Sequence, residues 1–128
     1  MPKVESFIDS SIGLTVNTVY GKVTPHELLK VIDQYFKGDR TNLVLFDFSD
    51  AILESTDPEF PRKVMSTNQR YSRKGDRKAF VFPVPVEKDL GPFLRKYCQT
   101  EEHESNLDTF NNLLDANRWL MEAKEAHR

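Results

Sequence analysis

The chain holds one cysteine, Cys98, among 128 residues. An internal disulfide is therefore excluded, and a reducing compartment is the simplest setting. Glycine is scarce, with five scattered residues, so there is no glycine-rich cradle for a phosphate. His26, His103 and His127 stand far apart, and none has a metal-ligand spacing. No serine sits in a nucleophile-elbow pattern. These gaps argue against a resident metal or cofactor. No apolar run approaches the roughly 20 residues needed to cross a bilayer. The opening MPKVESFIDSS lacks the apolar centre of a secretory signal, so a cytoplasmic setting is expected. Charge of one sign is also missing: the net charge is −2, which does not favour nucleic acid as a partner.

What is present suits one soluble α/β domain over residues 1–128. Hydrophobic residues make up 38% and charged residues 30%, a balance that can form a core. A chain of this size buries roughly two-thirds of the surface its unfolded form exposes, enough without metal or disulfide.

The elements alternate. Residues 12–23 carry a period of two, the mark of a strand with one drier face. Phe7 and Ile8 suggest a short strand before it, with Ser10, Ser11 and Gly13 at the turn. Thr24, Pro25 and Glu27 form a capping-box start. Leu28, Leu29, Ile32, Tyr35 and Phe36 then recur at helical spacing, and Gly38 stops the helix. Leu43, Val44, Leu45 and Phe46 form a strand with no polar face, as expected of a parallel strand between helix layers. Asp57, Pro58 and Glu59 restart a helix with Phe60, Val64, Thr67 and Tyr71 on one stripe, ending near Lys74 and Gly75. Ala79 to Phe82 is a second buried strand, stopped by Pro83 and Pro85. A helix from Asp89, a short strand at Leu107–Phe110, and a last helix through Leu113, Ala116, Leu120 and Ala123 complete the pattern. This order predicts a mostly parallel sheet with covering helices and right-handed crossovers.

The passages YGKVTPHELLKVI, LVLFDFSDAILEST and FNNLLDANRWLM, in this order, resemble the STAS domain and its SpoIIAA-like relatives. The likeness runs over nearly the whole chain. It rests on Asp47-Phe48-Ser49 and the loop behind it, and on Phe110, Ala116, Trp119 and Leu120 near the end. The resemblance implies a non-enzymatic regulatory module that binds a protein partner, as anti-sigma-factor antagonists do. Either Ser55 or Thr56 then fills the place of the phosphorylatable serine, although the glycine of that loop is missing and Pro58 follows. SpoIIAA-like proteins also resemble CRAL-TRIO lipid-binding domains, which implies the alternative of a small apolar or lipid ligand.

The candidate site follows from the chain's own order. Loops at the carboxyl ends of parallel strands carry function in open α/β sheets. The candidate regulatory loop comprises Asp47, Ser49, Asp50, Glu54, Ser55 and Thr56, between Ser49 and Pro58 or just before it. A phosphate on Ser55 or Thr56 would meet the amide end of the next helix; as unmodified residues, both are ordinary caps. Asp47 with Glu54 is a conceivable acid–base pair, but a strand-end acid bonding loop amides is the simpler account. A lipid reading would need a cavity lined by Phe46, Phe60, Phe80 and Phe93. The basic run Arg62, Lys63, Arg70, Arg73, Lys74, Arg77 and Lys78 reads as a solvated face or an anion-facing patch. Cys98 and Trp119 read as core. Phe-rich faces and an exposed edge strand admit a homodimer.

Overall fold

The computed structural model describes residues 3–38, 41–53, 59–71, 75–83, 86 and 107–126. Its elements are β1 (Lys3–Asp9), β2 (Leu14–Val23), α1 (Pro25–Lys37), β3 (Leu43–Asp47), β4 (Ala51–Leu53), α2 (Phe60–Tyr71), β5 (Arg77–Val81), β6 (Leu107–Phe110) and α3 (Leu113–Ala126). The expected helix from Asp89, with Phe93 and Cys98, lies outside the described residues.

One sheet runs in the order β1-β2-β3-β5-β6, with β4 also beside β2. β1 is antiparallel to β2, and every other pairing is parallel. The two apolar runs are direct neighbours, Leu45 opposite Ala79 and Phe46 opposite Phe80. All five residues of β3 are buried, which follows from helices on both of its faces.

The two faces are built differently. Val44, Phe46, Phe48, Phe80 and Phe82 point to one side and pack with Leu28, Ile32 and Phe36 of α1 and Phe60, Val64 and Met65 of α2. Leu43, Leu45, Ala79 and Val81 point the other way, against Ala116 and Leu120 of α3. The first face is aromatic. Phe46 meets Phe80 edge-on at 5.4 Å, and Phe48 stacks on Phe82 at 5.1 Å. Burial contributes about 1.5–3 kcal/mol for each such ring, and paired geometry adds up to about 1.5 kcal/mol. On α3, Leu113 is 44% exposed, so the expected apolar stripe begins at Ala116 instead.

Helix α1 starts where the capping box predicts. The Thr24 hydroxyl accepts from the Glu27 amide at 3.1 Å, and the Glu27 carboxylate accepts from the Thr24 amide at 3.0 Å. Its far end is tied to α2, because the Tyr71 hydroxyl donates to Asp33 at 3.1 Å.

Two departures concern strands. β2 begins at Leu14 rather than residue 12, since Ser10–Gly13 form the turn and Gly13 has φ +66°. β4 is an addition: a short strand lies inside the stretch expected to be loop. Gly21, at φ +88°, marks where β2 leaves β3 and takes up β4. Side chains rarely adopt that angle, so glycine suits the place.

Candidate functional site at the carboxyl edge

The parallel strands β2, β3 and β5 end at one edge, and the segment after β3 is built there residue by residue. Asp47 is the last residue of β3 and is 6% exposed. Its Oδ1 accepts from the Ser49 amide at 2.9 Å and the Ser49 hydroxyl at 2.5 Å. A carboxylate holding an amide and a hydroxyl two residues on is an Asx-type turn, which reverses the chain locally. Phe48 stays buried, and its amide donates to the Val81 carbonyl at 2.8 Å. The Ala51 amide then donates to the Phe48 carbonyl at 3.0 Å, and the Gly21 amide to the Asp50 carbonyl at 3.4 Å. The chain thus buries Phe48, lifts Ser49 and Asp50 into solvent and drops back onto the sheet as β4.

β4 presents a side chain to solvent that no core uses. Ala51 is buried, while Ile52 is 60% exposed. An exposed isoleucine alone needs no explanation. Here it stands on a short strand fixed by backbone bonds, beside exposed Ser49 and Asp50.

Tyr20 belongs to this rim and escaped the sequence reading, which placed it only in an alternating strand. Its hydroxyl donates to Glu5 at 3.4 Å. Partial burial first, then the carboxylate of Glu5, then those of Asp50 and Asp47, push the phenol above its ordinary value. Glu5 is itself paired with Lys3 at 3.2 Å.

Of the expected site residues, Asp47, Ser49 and Asp50 are brought together. Glu54, Ser55 and Thr56 lie outside the described residues. Among the described residues no group of three or more metal-type ligands gathers. Asp47 spends its Oδ1 on Ser49 and so organises the loop.

The apolar-pocket expectation finds its residues in the core. Phe46 and Phe80 are fully buried and Phe60 is 4% exposed, all in one packed cluster; Phe93 lies outside the described residues. A cavity of about 10 Å³ sits at the carboxyl edge instead, lined by Val23, Leu28, Phe48, Ala51, Leu53 and Phe82 among others. Between the described residues that volume admits about one water.

The basic run also divides. Arg62, Lys63 and Arg70 are exposed on α2, with Arg62 3.4 Å from Glu59. Arg73 and Lys74 lie outside the described residues. Arg77 and Lys78 correct the expectation of a continuous solvated face. Arg77 donates to the Trp119 carbonyl at 2.8 Å and lies over that ring at 4.7 Å. Trp119 itself is half-buried against Phe110. Lys78 is fully buried, because β5 alternation puts it on the aromatic face with Phe80. Its ammonium donates to Asn68 of α2 and sits 5.3 Å from the Phe36 ring of α1, partners that offset desolvation.

No family model and no curated protein matches the sequence. Solved structures do match in shape. An anti-sigma factor antagonist from Mycobacterium paratuberculosis superposes with a TM-score of 0.58 at 15% identity, covering 93% of this chain and 95% of that one. An uncharacterised DUF3478-family protein with a SpoIIAA-like fold, from Shewanella loihica, gives 0.52 at 13% identity and 93% of each chain. The anti-sigma factor antagonist SpoIIAA in its unphosphorylated form gives 0.52 at 10% identity, with 94% and 98% covered. The chain has the SpoIIAA-like α/β fold, as the sequence resemblance implied.

Proposed function

We propose that this chain is a non-enzymatic regulatory module that docks a protein partner on its carboxyl edge, through the 49–58 loop and the start of α2. The observation that carries this reading is Ile52, 60% exposed on a strand that the sheet itself holds in place. An apolar side chain held at a defined place by strand pairing and ringed by polar groups can form the apolar centre of a recognition patch. The neighbours in fold include two anti-sigma factor antagonists, which supports the same class of work. Asp47 serves this function by clamping Ser49, so the turn at 47–51 meets the partner already ordered and loses less entropy on binding.

Regulation by phosphate on Ser55 or Thr56 belongs to this proposal. Either position precedes α2, and the roughly two negative charges that a phosphate adds would change which surface this edge can dock. Mass spectrometry of the protein from its native cell checks this part. Phosphate on either residue is the expected result, and consistent absence under all growth conditions contradicts it.

Docking is tested by a photo-crosslinking residue at position 52, with position 34 on exposed α1 as the control. The expected result is a discrete adduct to one protein from position 52 and none from position 34. Equal labelling at both positions, or none at either, contradicts the proposal.

A further inference from the structure

The amino-terminal strand presents a second surface, independent of the loop. Among the described residues β1 is the sheet's outer strand, joined to β2 alone. Its register with β2 is one-for-one from Lys3–Tyr20 to Asp9–Leu14, so no bulge interrupts it. Residues 3–8 are all exposed, including Val4 at 41%, Phe7 at 65% and Ile8 at 61%. Proteins normally blunt such an edge with proline, a bulge, brevity or charged side chains. Here seven residues run straight with no proline or bulge, and the charges Lys3, Glu5 and Asp9 are of both signs, so they select a register as well as guard the edge.

The sequence of β1, KVESFID, is complementary to itself. A second copy added antiparallel about a two-fold axis normal to the sheet keeps each side chain on its own face. Only registers that oppose residues of like parity satisfy this. Centred on Ser6, the pairing sets Lys3 opposite Asp9 of the second copy at both ends. Val4 then meets Ile8, Glu5 meets Phe7, and Ser6 meets Ser6. Sliding by one permitted step either way is worse. One slide puts Glu5 against Glu5, and the other puts Glu5 against Asp9 twice. Like charges directly opposite destabilise a sheet, and opposite charges stabilise it. Val4 lies opposite Val19, so it and Ile8 share the face covered by α1 and α2. The centred register closes two Val–Ile pairs into one apolar strip on that side.

We propose that β1 is a homodimer seam, joining two copies edge to edge in the register centred on Ser6. The two five-strand paths then form one continuous sheet, with α1 and α2 of both copies on one side. A seven-residue seam is at the small end of interfaces, below about 1,200 Å², so the dimer is reversible and concentration-dependent. Residues 49–53 lie outside this seam and stay available.

Sedimentation velocity over a concentration series, on the full chain, tests the seam. Lys3→Asp sets acid against acid at both ends, and Asp9→Lys sets lysine against lysine. Each variant alone should weaken the dimer roughly tenfold, as two like-charge pairs replace two attractive ones. An equimolar mixture of the two should restore it as a heterodimer, because each end then pairs Asp with Lys. Asp9 also accepts from Ser11 at the turn, so Ile8→Lys is a third variant that leaves the turn alone; it should weaken the dimer too. A wild-type chain that stays monomeric at millimolar concentration overturns the proposal. So does a dimer unchanged in all three variants, or one that the mixture fails to restore.

Discussion

β3 and β4 run along the same neighbour, β2, in the same direction, and only residues 48–50 separate them. Yet β3 is buried along its whole length, whereas β4 has one buried residue, one exposed and one between. Backbone pairing is shared, so pairing is not what separates scaffold from working edge. The difference is the second layer. β3 has α1 and α2 on one face and α3 on the other, while among the described residues α3 packs chiefly on β5, β6 and β3. A strand covered on both faces holds the fold, and a strand covered on one can present a side chain.

The largest effect should come from the covered strand. Phe46→Ala removes a ring packed on Phe36, Phe48, Phe80 and Tyr35. It should destabilise by about 3–5 kcal/mol, read as a lower urea midpoint with unchanged slope. The junction comes next. Asp47→Ala removes the acceptor of both Ser49 hydrogen bonds and should cost about 0.5–1.5 kcal/mol, while Asp47→Asn retains an acceptor and should cost less. A loop that is only decoration would show no difference between these two variants.

Ile52→Asp should move the unfolding free energy by no more than about 0.5 kcal/mol, as exposed substitutions do, and should abolish binding of the protein captured by the crosslinker at position 52. A loss of several kcal/mol would place β4 with the scaffold.

The smallest effect lies on the helix pair over β3. A hydrogen bond from Lys37, reinforced by one from Tyr71, holds the Asp33 carboxyl below its ordinary value against partial burial. The native state therefore favours the carboxylate. The stability this gives is full above the ordinary carboxylate range and is lost as pH falls through the lowered value. The urea-midpoint gap between wild type and Asp33→Asn should be small at neutral pH and close on acidification. A gap that widens in acid would reverse the sign.

How far the sequence disclosed this follows from where each signal resides. β3 was legible because four consecutive apolar residues admit no exposed face, and α1 because Thr24 and Glu27 are a local pair. The place of the edge was legible for the same reason, since Asp47 ends the run. β4 was not legible. Ala51, Ile52 and Leu53 sit in a polar stretch, and their pairing with residues 21–23 is a tertiary event made possible by the turn of Gly21. Lys78 was hidden by the cations before it in sequence. Its burial depends on Asn68 and Phe36, which come from two other elements. Tyr20 joins the rim only because β1 brings Glu5 beside it and the turn after β3 brings Asp50 close.

Native-state amide hydrogen exchange tests the distinction between scaffold and edge most directly. The amides of 43–47 and 77–81 should exchange only through global unfolding, with a denaturant dependence matching the equilibrium slope. Those of 51–53 should exchange through local opening, orders of magnitude faster and nearly independent of denaturant. Equal protection in 51–53 and 43–47 would make β4 part of the rigid core and contradict the account.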